Sequence, residues 1–197
     1  MFRNLCRQPT RSVWGTKFVH SAIIHNMSVE TEGNFRSINP ATGKSLGNVS
    51  NCSENEALSA IQSAKDCFEV FKSSLHSSRA NLLINWADLI SANKEYLAKL
   101  VTMEMGKPLA QSLGEVDIAM DFLYHFAAQI RTGLIGEVVT PGMAHWRPIN
   151  VKQPVGPVVA ITPWNFPVAM ITRKAGASIA AGCSIINAPS EDTPLVS

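Results

Sequence analysis

The side chain in this sequence best placed to do chemistry is an amide. The stretch ITPWNFP, residues 161–167, sets Asn165 between Trp164 and Phe166, with Pro163 and Pro167 outside them. Two prolines this close exclude an ordinary helix or central strand across the segment. The amide offers both a donor and an acceptor. A stiff loop can aim it at a polar ligand. Equally, Asn is a favoured N-cap and can serve only to begin the helix that follows. Arg173 carries a planar guanidinium that can grip a carboxylate at two points, or it is a surface charge on a helix. Other reactive types are scattered. Cys6, Cys52, Cys67 and Cys183 form no CxxC pair, and the five histidines contain no HExxH, so no metal site is expected. The thiols read as reduced cysteines of an intracellular compartment.

The elements that must hold these groups follow from periodicity. VVAIT, at 158–162, is a short apolar run of the kind found in a buried parallel strand. Residues 168–181 have helical spacing and end at Gly182; residues 183–187 form a second apolar strand. Strand, helix and strand within about 30 residues make a βαβ unit with parallel strands. The ITPWNFP loop then sits at the carboxyl end of a strand, where open α/β sheets bind ligands. Upstream, residues 35–50 read as a β-hairpin turning at Pro40, Thr42 and Gly43. Ser53 and Glu56 form a capping box for a helix burying Ala57, Ile61, Ala64, Phe68 and Phe71. A second helix, 78–92, is expected to bury Leu82, Leu83, Trp86, Leu89 and Ile90. Asn93 then caps a third helix, which stops at Gly106, and a longer one covers 109–132. A strand is expected at Val151, Lys152 and Gln153.

Composition narrows the class. Of 197 residues 46% are hydrophobic and 16% charged, a globular profile. No apolar run approaches the ~18 residues of a membrane-spanning helix. The net charge of +2 is too small to indicate a nucleic-acid partner, and it is concentrated at one end. Setting aside Arg3, Arg7, Arg11 and Lys17 leaves 13 basic against 15 acidic residues, a body of net charge −2. Residues 1–27 are therefore expected to be a mitochondrial transit peptide, basic and free of acid before Glu30, with residues 28–197 forming the globular part. This places the protein in the matrix. Initiation at Met27 gives a cytoplasmic form.

Several motifs together resemble one family. ITPWNFPVAMITRKAGASIAAGCS is similar to the aldehyde dehydrogenase superfamily, as are SINPATGKSLGNVS, LVTMEMGKPLAQSLGEV and VKQPVGPVVAITPWNFP, in the same order along the chain. The wording of MITRK and GKPL resembles the succinate-semialdehyde dehydrogenases. The resemblance implies an α/β fold: the amino-terminal part of a Rossmann-type cofactor domain, with hairpin and helices before a βαβ unit. It implies an NAD- or NADP-dependent oxidation of succinate semialdehyde to succinate. In that chemistry a cysteine thiolate attacks the aldehyde, hydride passes to the cofactor, and a glutamate helps hydrolyse the thioester. Asn165 would be the oxyanion-hole donor. Thr162, Pro163, Trp164 and Asn165 would line the cofactor, together with Ala188, Pro189, Ser190 and Glu191. Arg173 would hold the distal carboxylate of the substrate. Lys174 reads as a structural ion-pair residue.

Two departures from the pattern qualify these expectations. The family's second strand ends in a lysine–proline pair, but here the segment reads INAPSED, with Ala188 at the lysine position. Weakened cofactor binding is expected. PLVS, at 194–197, stands where the family begins its next helix, before the segments with its nucleophilic cysteine and general-base glutamate. Cys183, entering an apolar strand, reads as a buried structural thiol. The chain is thus expected to be inactive alone and not to form the family's homo-oligomer. The alternatives are a non-catalytic protein that binds cofactor weakly and a module that associates with full-length subunits. A sheet of about two parallel strands would also leave apolar surface and edges bare.

Overall fold

The computed structural model describes residues 18–25, 27–29 and 31–197. Three short strands come first: β1 (Phe18–His20), β2 (Ala22–Ile24) and β3 (Met27–Val29). They fall largely within the segment expected as a leader, of which residues 1–17 lie outside the described residues. The hairpin follows as β4 (Gly33–Ile38) and β5 (Ser45–Asn51), antiparallel with Phe35 opposite Val49. Gly43 turns it at φ +68°, a conformation that favours glycine. Strand β1 runs parallel to β5, and β2 pairs with β3.

Helix α1 (Glu54–Phe71) opens with the expected capping box: the Ser53 amide donates to Glu56 Oε2 at 2.6 Å. Hydrogen bonds from Ser53 hold the Glu56 carboxyl below its ordinary value. Its buried face is smaller than the spacing predicts. Ala64 is buried, but Ala57 and Ile61 face solvent. The helix is anchored chiefly near its middle, where Ser184 Oγ donates to the Ala64 carbonyl at 2.7 Å.

The core lies between α2 (His76–Ala92), α3 (Lys94–Met105), α4 (Leu109–Arg131) and the later helix α5 (Pro167–Ala181). Leu83, Ala87 and Ile90 of α2 meet Val116, Leu123, Ala127 and Ile130 of α4. Leu89 is 50% exposed rather than buried, because the stripe at 83, 87 and 90 already faces α4 and residue 89 points about 100° away from Ile90. Asn93 also differs from expectation. Its side chain makes no N-cap bond to α3; Nδ2 donates instead to the Leu89 carbonyl at 2.8 Å and closes α2. Gly106 ends α3 in the left-handed region, as expected.

Beyond α4, β6 (Glu137–Val138) and β7 (Ile149–Asn150) make a short antiparallel ladder. The strand expected at 151–153 lies just past it. Those residues are exposed, and pairing ends at Asn150. The βαβ unit is β8 (Val158–Ile161), α5 and β9 (Ile185–Ala188), with the strands parallel and Val158 opposite Ile185. Along β8, Ala160 is buried, while Val159 is 55% and Ile161 75% exposed. One face of this sheet is covered and the other open.

Helix α5 rides closely on α4 at Gly176. A Cβ there would stand 2.9 Å from Phe126 Cδ2 and 3.3 Å from Leu123 Cδ2. Gly176→Val is expected to overpack this contact and destabilise the chain by about 1–3 kcal/mol. A lower urea midpoint at unchanged m-value is the expected result; an unshifted midpoint would show that the two helices are not in tight contact.

Candidate functional site

Two loops leave the parallel sheet side by side at its carboxyl edge. Ile161 is opposite Ala188, and the Thr162 amide donates to the Ala188 carbonyl at 3.2 Å. The ladder therefore brings residues 162–165 against residues 188–191, two segments far apart in sequence. In the first wall, Thr162 is buried and its hydroxyl has no partner among the described residues. Pro163, Trp164, Asn165 and Phe166 are exposed. Asn165 does not cap α5. Phe166 holds the N-cap position without a side-chain bond, Pro167 is the first helical residue, and the Asn165 amide has no hydrogen bond among the described residues.

In the second wall Ala188 is half-buried and presents only a methyl group. Pro189 is exposed and Ser190 half-buried. The Ser190 carbonyl accepts from the Thr193 amide at 3.2 Å, and its hydroxyl accepts from the Asp192 amide at 3.3 Å. This turn leaves Glu191 exposed, with no ion pair among the described residues.

Arg173 lies on the solvent side of α5, with its guanidinium 5.7 Å from the ring centroid of Phe122 on α4. Stacking of this kind orients the plane and leaves its edge donors available. Neither Arg173 nor Lys174 has an ion-pair partner among the described residues, so the pairing expected of Lys174 is not seen there. Cys183 is 2% exposed, as a structural thiol should be. Cys52 is exposed, but burial of its sulfur and then the charge of Glu56 push its thiol up, the reverse of an activated nucleophile.

Sequence reasoning missed the groups beneath the Asn165 loop. Lys107 Nζ donates to the Asn165 carbonyl at 2.9 Å and to Glu115 Oε2 at 2.5 Å. It also stands 4.1 Å from the centroid of the Phe166 ring. The other oxygen, Glu115 Oε1, accepts from the Val168 amide at 2.9 Å and the Ala169 amide at 3.4 Å. Glu115 is thus the cap of α5, supplied from another helix. The readable signal was its place on α4: Ser112, Glu115, Ala119 and Leu123 fall at spacings of three and four, and all are buried. A carboxylate on an apolar stripe needs a buried partner. Glu104 is its counterpart on α3. It accepts from Ser37 Oγ at 2.8 Å and from the amides of Leu195, at 2.8 Å, and Val196, at 3.0 Å. Burial holds its carboxyl above the ordinary value, and those bonds partly oppose the shift.

The crevice fits a ligand carrying both donors and acceptors. Asn165 brings a free amide and Glu191 a free carboxylate at this strand–helix edge, whereas the unpartnered Thr162 hydroxyl is buried away from solvent. Among the described residues no three metal-binding side chains gather, and no helix is long and apolar enough to cross a membrane.

Known proteins are similar in sequence and in fold. Residues 27–197 match the profile of the aldehyde dehydrogenase family. The mitochondrial succinate-semialdehyde dehydrogenase of Rattus norvegicus is 43% identical over 83% of this chain and 31% of its own length. The NADP(+) succinate-semialdehyde dehydrogenase of Escherichia coli is 41% identical over 79% of this chain and 32% of its own. The crystal structure of succinate-semialdehyde dehydrogenase from Burkholderia pseudomallei superposes with a TM-score of 0.85 at 39% identity, covering 89% of this chain and 36% of that one. The chain therefore spans about a third of the length of the relatives it matches.

Removing Lys107 should strand a buried carboxylate and release the loop. Lys107→Met is expected to destabilise the chain by about 3–5 kcal/mol, and the double variant Lys107→Met/Glu115→Gln by less. Urea unfolding of the three proteins measures this. A single variant as stable as the parent would mean that the ion pair does not hold the loop.

Proposed function

The chain belongs to the aldehyde dehydrogenase family, and we propose that it supplies the cofactor-binding and oxyanion-donor side of an enzyme that oxidises succinate semialdehyde to succinate with NAD or NADP. The observation that carries this reading is the unpartnered Asn165 amide, held by Lys107 at the carboxyl edge of the parallel sheet. An amide so placed donates to an aldehyde oxygen as negative charge develops on it. Loss of one such donor typically costs about 100-fold or more in rate. Because α5 is capped by Glu115, the Asn165 side chain is not consumed locally.

Cofactor would lie between Thr162, Pro163, Trp164 and Asn165 on one wall and Ala188, Pro189, Ser190 and Glu191 on the other. NAD or NADP, when bound, supplies the acceptor for the aldehyde hydride. Glu191 can accept from ribose hydroxyls, whereas Ala188 has no side-chain donor for ribose or phosphate. Arg173, stacked on Phe122 and free of carboxylate partners among the described residues, would grip the far carboxylate of the substrate. The names of the relatives support succinate semialdehyde; glutarate semialdehyde carries the same two functional groups one methylene further apart. The mitochondrial relatives and the acid-free basic segment before Glu30 support a mitochondrial location.

A second reading, association with longer subunits of the same family, is favoured by the open face of β8, where Val159 and Ile161 are exposed.

Two binding measurements test the first reading. NADH and NADPH fluorescence titrations should show Ala188→Lys binding about 10- to 100-fold more tightly than the parent, the gain of a charged hydrogen bond. Equal affinities would remove Ala188 from the account. Succinate should bind in the presence of cofactor, and Arg173→Ala should weaken it by about 10-fold or more, while cofactor affinity stays constant. Succinate binding indifferent to this change would sink the assignment of Arg173.

A further inference from the structure

The two walls of the crevice are supported by two buried carboxylates from a single stretch, MEMGKPLAQSLGEV, and they are supported in the same way. In α5 the first helical residue is Pro167, and Glu115 accepts from the next two amides, Val168 and Ala169. At the end of the second wall the order repeats as Thr193, Pro194, Leu195, Val196, and Glu104 accepts from the two amides that follow the proline. In α5 these are the second and third helical amides, which an N-cap side chain would normally satisfy; residues 193–197 form a bend, not a helix. Further along, the Ser197 hydroxyl donates to the Thr193 carbonyl at 2.9 Å and closes the bend.

An independent observation agrees. Thr193 is 1% exposed and stands just before Pro194, yet its hydroxyl has no partner among the described residues. A threonine there ordinarily accepts from the amides that Glu104 has taken. Glu104 also lines a cavity of about 370 Å³ shared with Trp164 of the first wall and with Asp192 and Thr193, which follow the second. Ser37 of β4 adds its hydroxyl to the same carboxylate, tying the site to the hairpin.

We infer that Glu104 is a positioning residue: its carboxylate takes both amides that follow Pro194, in place of a local side-chain cap, and thereby fixes the 188–191 wall, joined to that segment by the Thr193 amide on the Ser190 carbonyl, against the 162–165 wall. Glu115 does this for one side of the crevice and Glu104 for the other. The coupling to cofactor rests on the reading of the crevice given above; the capping does not.

Hydrogen exchange with mass spectrometry on the full chain separates the two. In the parent, the Leu195 and Val196 amides should exchange more slowly than in an unstructured peptide, and free exchange there would overturn the inference without any variant. Glu104→Gln keeps the shape but turns a donor toward one of the amides. It should speed exchange at 195–196 by about tenfold, the worth of a cap, and leave 168–169 unchanged. Ser37→Ala removes only the hydroxyl and should leave 195–196 near the parent rate. A rise spread evenly over the chain in Glu104→Gln would mean a general structural role and would overturn the inference. In NADH and NADPH titrations, Glu104→Gln should weaken binding several-fold. Unchanged affinity alongside faster exchange at 195–196 would show that the walls are not coupled. A parent that binds neither nucleotide would instead refute the cofactor reading, with the exchange pattern still deciding the cap.

Discussion

A helix that starts with proline and has no side-chain cap must find acceptors for its first amides elsewhere. Helix α5 is such a helix: Phe166 cannot cap it, and Pro167 has no N–H to satisfy. Val168 and Ala169 are buried, so water is not an available partner for their amides. Glu115 answers that need from α4, and the positive end of α5 favours its charge. The carboxylate is buried in turn and requires its own compensation, which Lys107 gives. The Lys107 ammonium has donors to spare, and one of them reaches the Asn165 carbonyl. The loop, the helix and the junction at Gly106 are thus parts of one hydrogen-bonded unit.

This arrangement explains why an asparagine can stand at the helix start without acting as its cap. Asn is among the best N-caps, so a local solution was available. Using it would have tied the amide to the backbone. Capping from a distance frees it. The cost is a fully buried ion pair, and such pairs are seldom a net gain in stability over apolar residues of the same size. What the pair provides is geometry: every Glu115 oxygen has a defined partner, so the loop has one position rather than several.

Features with local causes were legible in the sequence. The capping box at Ser53, the turn at Gly43, the helix stop at Gly106 and the parallel βαβ unit each depend on residues close in the chain, and each is present. The family resemblance covered most of the rest. What could not be read depends on long-range packing. The spacing of Ala57 and Ile61 is helical, but nothing among the described residues covers them. Asn93 sits between two helices and serves the one before it. The Lys107–Asn165 bond joins residues whose proximity exists only once α4 and α5 have packed. Glu115 was the one readable clue, since a carboxylate in an apolar stripe predicts a partner, though not which one.

The open face of the sheet follows from the same alternation that buries its other face. Successive side chains of a strand point to opposite sides, so a strand covered by helices on one side only should be polar on the other. Strand β8 is not: Val159 and Ile161 are as apolar as Ala160, and they face outward. In β9 Ile185 and Ile186, on opposite faces, are both only half-buried, while Asn187 is exposed. Such a composition belongs to a sheet covered twice. Helix α5 supplies one cover. Val159 and Ile161 are left without an apolar cover among the described residues. Glu104 and Glu115 hold the loops to the helices. Through Ser37, Glu104 also ties the segment after β9 to the hairpin strand β4.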